Sequence, residues 1–180
     1  MQPDQPARGL TWAHNCLEVD VHHPGVGRLY DFYLGGHASW AIDRELGKRV
    51  LAAFPLAGHV ARANRLCHQR VVRHLAGLGI RQFVDVGAGP PTLGSTHQVA
   101  ERVDPDARVI YVDNEPVTVA HMQLSLEQDI EPDRHAAIMA DLRDPDELWA
   151  AVASTDLIDL TEPVALLLMA TLHAAGTRRC

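Results

Sequence analysis

Three carboxylates stand where a nucleoside could be held. Asp85 leads into Gly87 and Gly89 in the run Asp85-Val86-Gly87-Ala88-Gly89, directly after the apolar Gln82-Phe83-Val84. Glycines at those positions let backbone amides approach a ligand closely. Asp113 closes the apolar run Val109-Ile110-Tyr111-Val112, 24 residues beyond Gly89. A carboxylate at that place can accept hydrogen bonds from both hydroxyls of a ribose. Asp141 follows a third apolar run ending at Met139-Ala140, where it could accept from the exocyclic amine of a purine. Each residue alone has a plainer reading, because an acid after a strand is commonly a helix cap and Gly-x-Gly is commonly a turn. At the ends of three consecutive strands, the set points to nucleoside binding.

The elements that must position these groups follow from periodicity. Apolar residues at helical spacing predict helices over 42–54, 58–78, 92–103, 116–126 and 145–152, with Asp43 as a first-turn acid in the first of them. In the second, Val60, Cys67, Val71, Leu75 and Leu78 form the expected apolar face, which also carries Asn64. Short apolar runs predict strands over 82–86, 107–112, 135–139 and 163–169. Near-continuous apolar strands separated by helices imply a parallel sheet covered on both faces, so the expected class is α/β, doubly wound and Rossmann-like. Ligands of such sheets sit beyond the carboxyl ends of the strands, where the three acids fall.

The chain has 180 residues, the size of one domain. Sixteen Lys and Arg against 23 Asp and Glu give a net charge of −7, so no nucleic-acid partner is expected. Cys16, Cys67 and Cys180 are far apart and include no Cys-x-x-Cys, which fits neither a disulfide framework nor a zinc site and suits a reducing cytoplasm. No basic-then-apolar leader is seen at the start, and the longest apolar run, over 164–175, is broken by Thr171 and His173, so no membrane span is expected. Residues 1–24 lack any period and read as a flexible arm, leaving 25–180 as the domain.

A dinucleotide fingerprint needs Gly-x-Gly-x-x-Gly so that a helix N-terminus meets the pyrophosphate, but Thr92 stands at the third position after Pro90 and Pro91. No phosphate-loop motif of the Gly-x-x-x-x-Gly-Lys-Ser/Thr type occurs. S-adenosylmethionine carries no phosphate. It needs close backbone approach at its amino-acid end, an acid for its ribose and a polar contact for its adenine, which is the set on offer.

The residues also resemble a bacterial family of S-adenosylmethionine-dependent methyltransferases of unknown substrate, formerly a domain of unknown function. The likeness is carried by Arg28-Leu29-Tyr30-Asp31-Phe32-Tyr33-Leu34-Gly35-Gly36, Ala61-Arg62-Ala63-Asn64-Arg65, Arg81 to Thr92, Val109 to Val117, Ala140 to Pro145 and Pro163 to Met169. It implies a Rossmann-like methyltransferase core binding S-adenosylmethionine. Gly87 and Gly89 would meet the methionine end, Asp113 the ribose and Asp141 the adenine, with Tyr30, Asp85, Asn114 and Leu142 also expected at the cofactor site. The Tyr30 to Gly36 segment would lie over the cofactor as a lid, although aromatic residues around a glycine pair also pack turns against cores. The chain departs from the family pattern at Ala38, Ser39 and Trp40, at Ser95 and Gln98, and in stopping soon after the last strand, where relatives continue.

A stop there would leave the strand over 164–169 as an open apolar edge, suited to self-association. His173, just past that strand, is the one candidate for a group that takes a proton from an acceptor, and its plainer reading is a polar strand exit. No metal site is expected from the eleven histidines, which show no His-Glu-x-x-His spacing. Cys67, Tyr111 and Trp149 read as packing. The expected function is methyl transfer to a small-molecule or unknown acceptor; the rival readings are a non-catalytic S-adenosylmethionine-binding remnant and an NAD-binding domain.

Overall fold

The computed structural model describes residues 19–92, 94–128 and 132–172. Strands β1 (Gln82–Val86), β2 (Arg108–Asp113), β3 (His135–Met139) and β4 (Val164–Leu167) pair in parallel in the order β3-β2-β1-β4. The chain winds outward from β1 to β3 and then crosses to the other side of β1. The switch point therefore lies between β1 and β4.

Side-chain alternation along the strands creates two apolar layers. Phe83, Val109, Tyr111 and Leu167 meet helices α3 (Ala57–Gly77), α4 (Thr96–Ala100) and α5 (Pro116–Leu126) on one face. Val84, Val86, Ile110 and Val112 meet α6 (Pro145–Ala153) on the other. Phe83, Val84, Val109, Ile110 and Val112 are wholly buried. Burial on both faces is why β1 and β2 read as unbroken apolar runs rather than as alternating ones. The architecture is the expected Rossmann-like α/β sheet, with α1 (Val26–Leu34) and α2 (Ala41–Ala53) preceding it.

The segment before Gly35, within the expected N-terminal helical part, forms a helix of its own, α1, although no side chain caps its start at Gly25. Tertiary contacts hold it: Arg28 Nε donates to Asp43 Oδ2 at 2.9 Å, Arg28 Nη2 donates to the His23 carbonyl at 3.1 Å, and the guanidinium lies 3.9 Å above the Trp40 ring. Asp43, in the first turn of α2 as expected, also accepts from the amides of Trp40 and Gly25. Two sequence expectations are corrected, both on helices. The buried face of α3 is turned from the expected one. Ala61, His68, Val72 and Ala76 face inward, while Val60 and Leu78 are exposed, because small residues let α3 lie close to the sheet and a polar residue has a buried partner. The helix over 92–103 shrinks to α4, with Ser95 Oγ donating to the Thr92 carbonyl just before the helix begins at Thr96.

Strand β4 is the outermost on its side among the described residues, with Leu166 about half exposed. No helix among those residues is long and apolar enough to cross a membrane.

Candidate functional site

A cavity of about 1040 Å³ opens at the carboxyl ends of the strands. Its floor is the turn after β1 together with the segments that follow β2, β3 and β4; α1 and α3 form its walls and roof. All eight residues expected from the sequence, Tyr30, Asp85, Gly87, Gly89, Asp113, Asn114, Asp141 and Leu142, line this one cavity.

The turn after β1 depends on its glycines: Gly87 and Gly89 have φ of 72° and 70°, a region costly for residues with a Cβ. At Gly87 a side chain would also overlap Thr171. The turn is pinned to β2, with the Gly87 amide donating to the Val112 carbonyl at 2.7 Å and the Gly89 amide to Asp113 Oδ2 at 3.0 Å. Helix α1 comes down on this turn through Gly27, where a Cβ would lie 3.2 Å from Pro90 Cδ.

Asp113 accepts a second amide bond, from Glu115 to Oδ1 at 3.0 Å. Burial outweighs these bonds and pushes its carboxyl up to about 6, with the nearby Asp85 charge adding to the rise. Two bonds leave a carboxylate with lone pairs for a pair of hydroxyl donors. Asp141 differs: Arg143 grips it in a two-pronged pair, and that hydrogen bonding holds its carboxyl down at about 2. Asn114 Nδ2 reaches Asp141 Oδ2 at 3.5 Å, joining the ends of β2 and β3.

Asp85 is buried on the α3 face of the sheet, in register with Tyr111 and Leu167. Thr96 Oγ1 donates to its Oδ2 at 2.5 Å, and His68 Nε2 lies 3.0 Å from the same hydroxyl. Tyr30 belongs to α1 and is fixed on α3, its hydroxyl donating to the Ala61 carbonyl at 3.1 Å and accepting from Asn64 Nδ2 at 3.0 Å. The glycine pair after it ends the helix: Gly35 has φ of 81°, and the amides of Gly35 and Gly36 bond the Phe32 and Asp31 carbonyls. Thus α1 roofs the cavity, while Gly35-Gly36 do the structural task of stopping it.

Sequence reasoning missed Asn64, Arg65, His68 and Glu115 as lining residues and Thr96 as the partner of Asp85. Asn64 and Arg65 lay inside a quoted motif without a role, and His68 was hidden by the expected α3 face. Val19, Asp20, His23 and Pro24, assigned to the arm, also line the cavity. His173 lies outside the described residues. Tyr111 packs as expected, its buried hydroxyl accepting from the His97 amide at 2.9 Å. Among the described residues no group of three His, Cys, Asp or Glu side chains could hold a metal ion.

Comparison with known proteins places this geometry. The family model described as S-adenosyl methyltransferase matches residues 12–178. The chain belongs to the S-adenosyl methyltransferase family. Two solved structures resemble it: a candidate methyltransferase from Thermobifida fusca YX, 38% identical over 86% of this chain with a TM-score of 0.80, and a DUF574 family protein from Streptomyces avermitilis MA-4680, 38% identical over 82% with a TM-score of 0.76. The chain spans 57% of the first and 56% of the second. No curated protein matches it. Family membership accords with the fold and with a cavity built at the switch point of the sheet.

Proposed function

We propose that the cavity binds S-adenosylmethionine and that the chain transfers its methyl group to an acceptor whose identity is open. The observation that carries the reading is the convergence of all eight residues from four separated segments on one cavity of about 1040 Å³ at the switch point. The residues fit the cofactor. The glycine turn presents backbone rather than side chains, the half-buried Asp113 carboxylate with spare lone pairs suits a ribose diol, and Asp141 with Asn114 offers polar contacts for a purine.

When bound, the cofactor supplies a methyl group already activated on a positive sulfur. The protein's part is to orient it and to exclude water, which lowers the barrier without a dedicated base. Asp113 holds the ribose, the turn at Gly87 to Gly89 fixes the amino-acid end, and α1, tied down through Arg28, covers the site.

The NAD reading is disfavoured by one feature. Pyrophosphate binding uses a helix N-terminus directly after the glycine turn, whereas α4 begins only at Thr96 and has five residues. Calorimetric titration with S-adenosylhomocysteine tests the proposal. Micromolar binding is expected, weakened about tenfold or more in Asp113→Ala; a folded chain that binds NADH in preference refutes it.

A further inference from the structure

Behind the cofactor turn runs a chain of polar side chains whose direction can be deduced. Arg65 Nη1 lies 3.3 Å from His68 Nδ1. A guanidinium only donates, so Nδ1 is the acceptor and the ring proton sits on Nε2. Nε2–H then donates to Thr96 Oγ1 at 3.0 Å, and the single hydroxyl proton of Thr96 is committed to Asp85 Oδ2 at 2.5 Å. Each link fixes the next, from α3 through the start of α4 to the end of β1. Burial holds the His68 imidazole below its ordinary pKa, in keeping with a neutral ring between the positive Arg65 and the negative Asp85.

The chain ends on one oxygen of Asp85. Among the described residues Oδ1 has no hydrogen-bond partner, and Asp85 lines the cavity beside Gly87. Arg65 lines the same cavity, so opposite charges stand at the two ends of the chain. That pattern is complementary to an α-amino-acid zwitterion, with a carboxylate for its ammonium and a guanidinium for its carboxylate.

We propose that Arg65, His68 and Thr96 are positioning residues, a one-way hydrogen-bond chain that holds the Asp85 carboxylate aimed at the ammonium of the ligand's α-amino-acid moiety. This rests on the cofactor reading and adds a device for its amino-acid end. A purely structural role for the chain would support ligands with and without that end equally.

Two ligands separate these roles. S-adenosylhomocysteine carries the amino-acid end; 5′-methylthioadenosine keeps the nucleoside and lacks it. Calorimetry on the full chain is expected to show Thr96→Val weakening S-adenosylhomocysteine about tenfold or more while 5′-methylthioadenosine changes less than about twofold. Thr96→Ser, which keeps the hydroxyl, is expected to restore the preference. Equal loss for both ligands, or no loss for S-adenosylhomocysteine, overturns the proposal. Should Thr96→Val not fold, nitrogen-15 spectra of the wild-type His68 ring decide, since a proton on Nδ1 contradicts the deduced direction. A wild-type chain that binds both ligands equally tightly refutes the chain's role and leaves the cofactor reading standing. One that binds neither overturns both.

Discussion

Asp113 and Asp141 end neighbouring strands, yet their surroundings drive them apart. Burial raises Asp113 to about 6, while Arg143 holds Asp141 at about 2. Only Asp113 therefore changes charge between pH 5 and pH 7. Its folded pKa lies above its unfolded one, so the stability it contributes is present below about pH 4 and lost as pH rises through about 6. Ligand affinity moves the opposite way, because a ribose diol needs the ionised carboxylate as acceptor. S-adenosylhomocysteine is expected to bind about tenfold more weakly at pH 5 than at pH 7, measured by titration across that range, and Asp113→Asn should flatten the dependence. A flat profile in the wild type would mean that Asp113 does not meet the ribose.

Among the elements, α1 shows where a sequence is hard to read and what holds such a helix in place. Nine residues with no capping side chain carry little local signal, and the decisive contact joins Arg28 to Asp43, fifteen positions away. The pair is almost fully buried, and Arg28 Nη1 also meets Glu115 at the start of α5. The roof is thus bolted to α2 and to the segment after β2. Removing the guanidinium leaves Asp43 charged and buried, so Arg28→Met is expected to cost about 3 kcal/mol or more, seen as a lower urea midpoint. An unchanged midpoint would show that the roof stands without this pair. Strands β1 to β3, by contrast, were legible to within a residue, β1 and β2 because burial on both faces writes an uninterrupted apolar run, whereas β4 (Val164–Leu167) is shorter than the expected 163–169. The face of α3 was misjudged because its inward residues are small or polar: Ala61, His68 and Ala76 announce themselves less than Val60 and Leu78, which are exposed. His68 was not expected at the cavity for the same reason, whereas Asp85, Asp113 and Asp141, which line it, were legible as strand-end acids.

For the whole molecule, the cavity is bounded by segments far apart in the chain: the roof helix, α3, and the ends of all four strands. A ligand there would touch the roof, α3 and the strand ends together, so its binding energy would be spread over several segments rather than over one loop. A ligand that binds only the native state adds RT ln(1 + [L]/Kd), about 2.7 kcal/mol at a hundredfold excess over Kd. For a chain of this size each kcal/mol raises the melting temperature by about 2–4 °C. Saturating S-adenosylhomocysteine is therefore expected to raise Tm by about 5–10 °C in differential scanning calorimetry, as a single transition displaced upward. A split transition would mean that the roof and the sheet unfold separately, and the ligand then stabilises only the part it touches. NADH gives the contrast: its pyrophosphate finds no helix N-terminus beside the glycine turn, so its shift should be near zero, and an equal shift from both compounds would argue against a site built for a phosphate-free nucleoside.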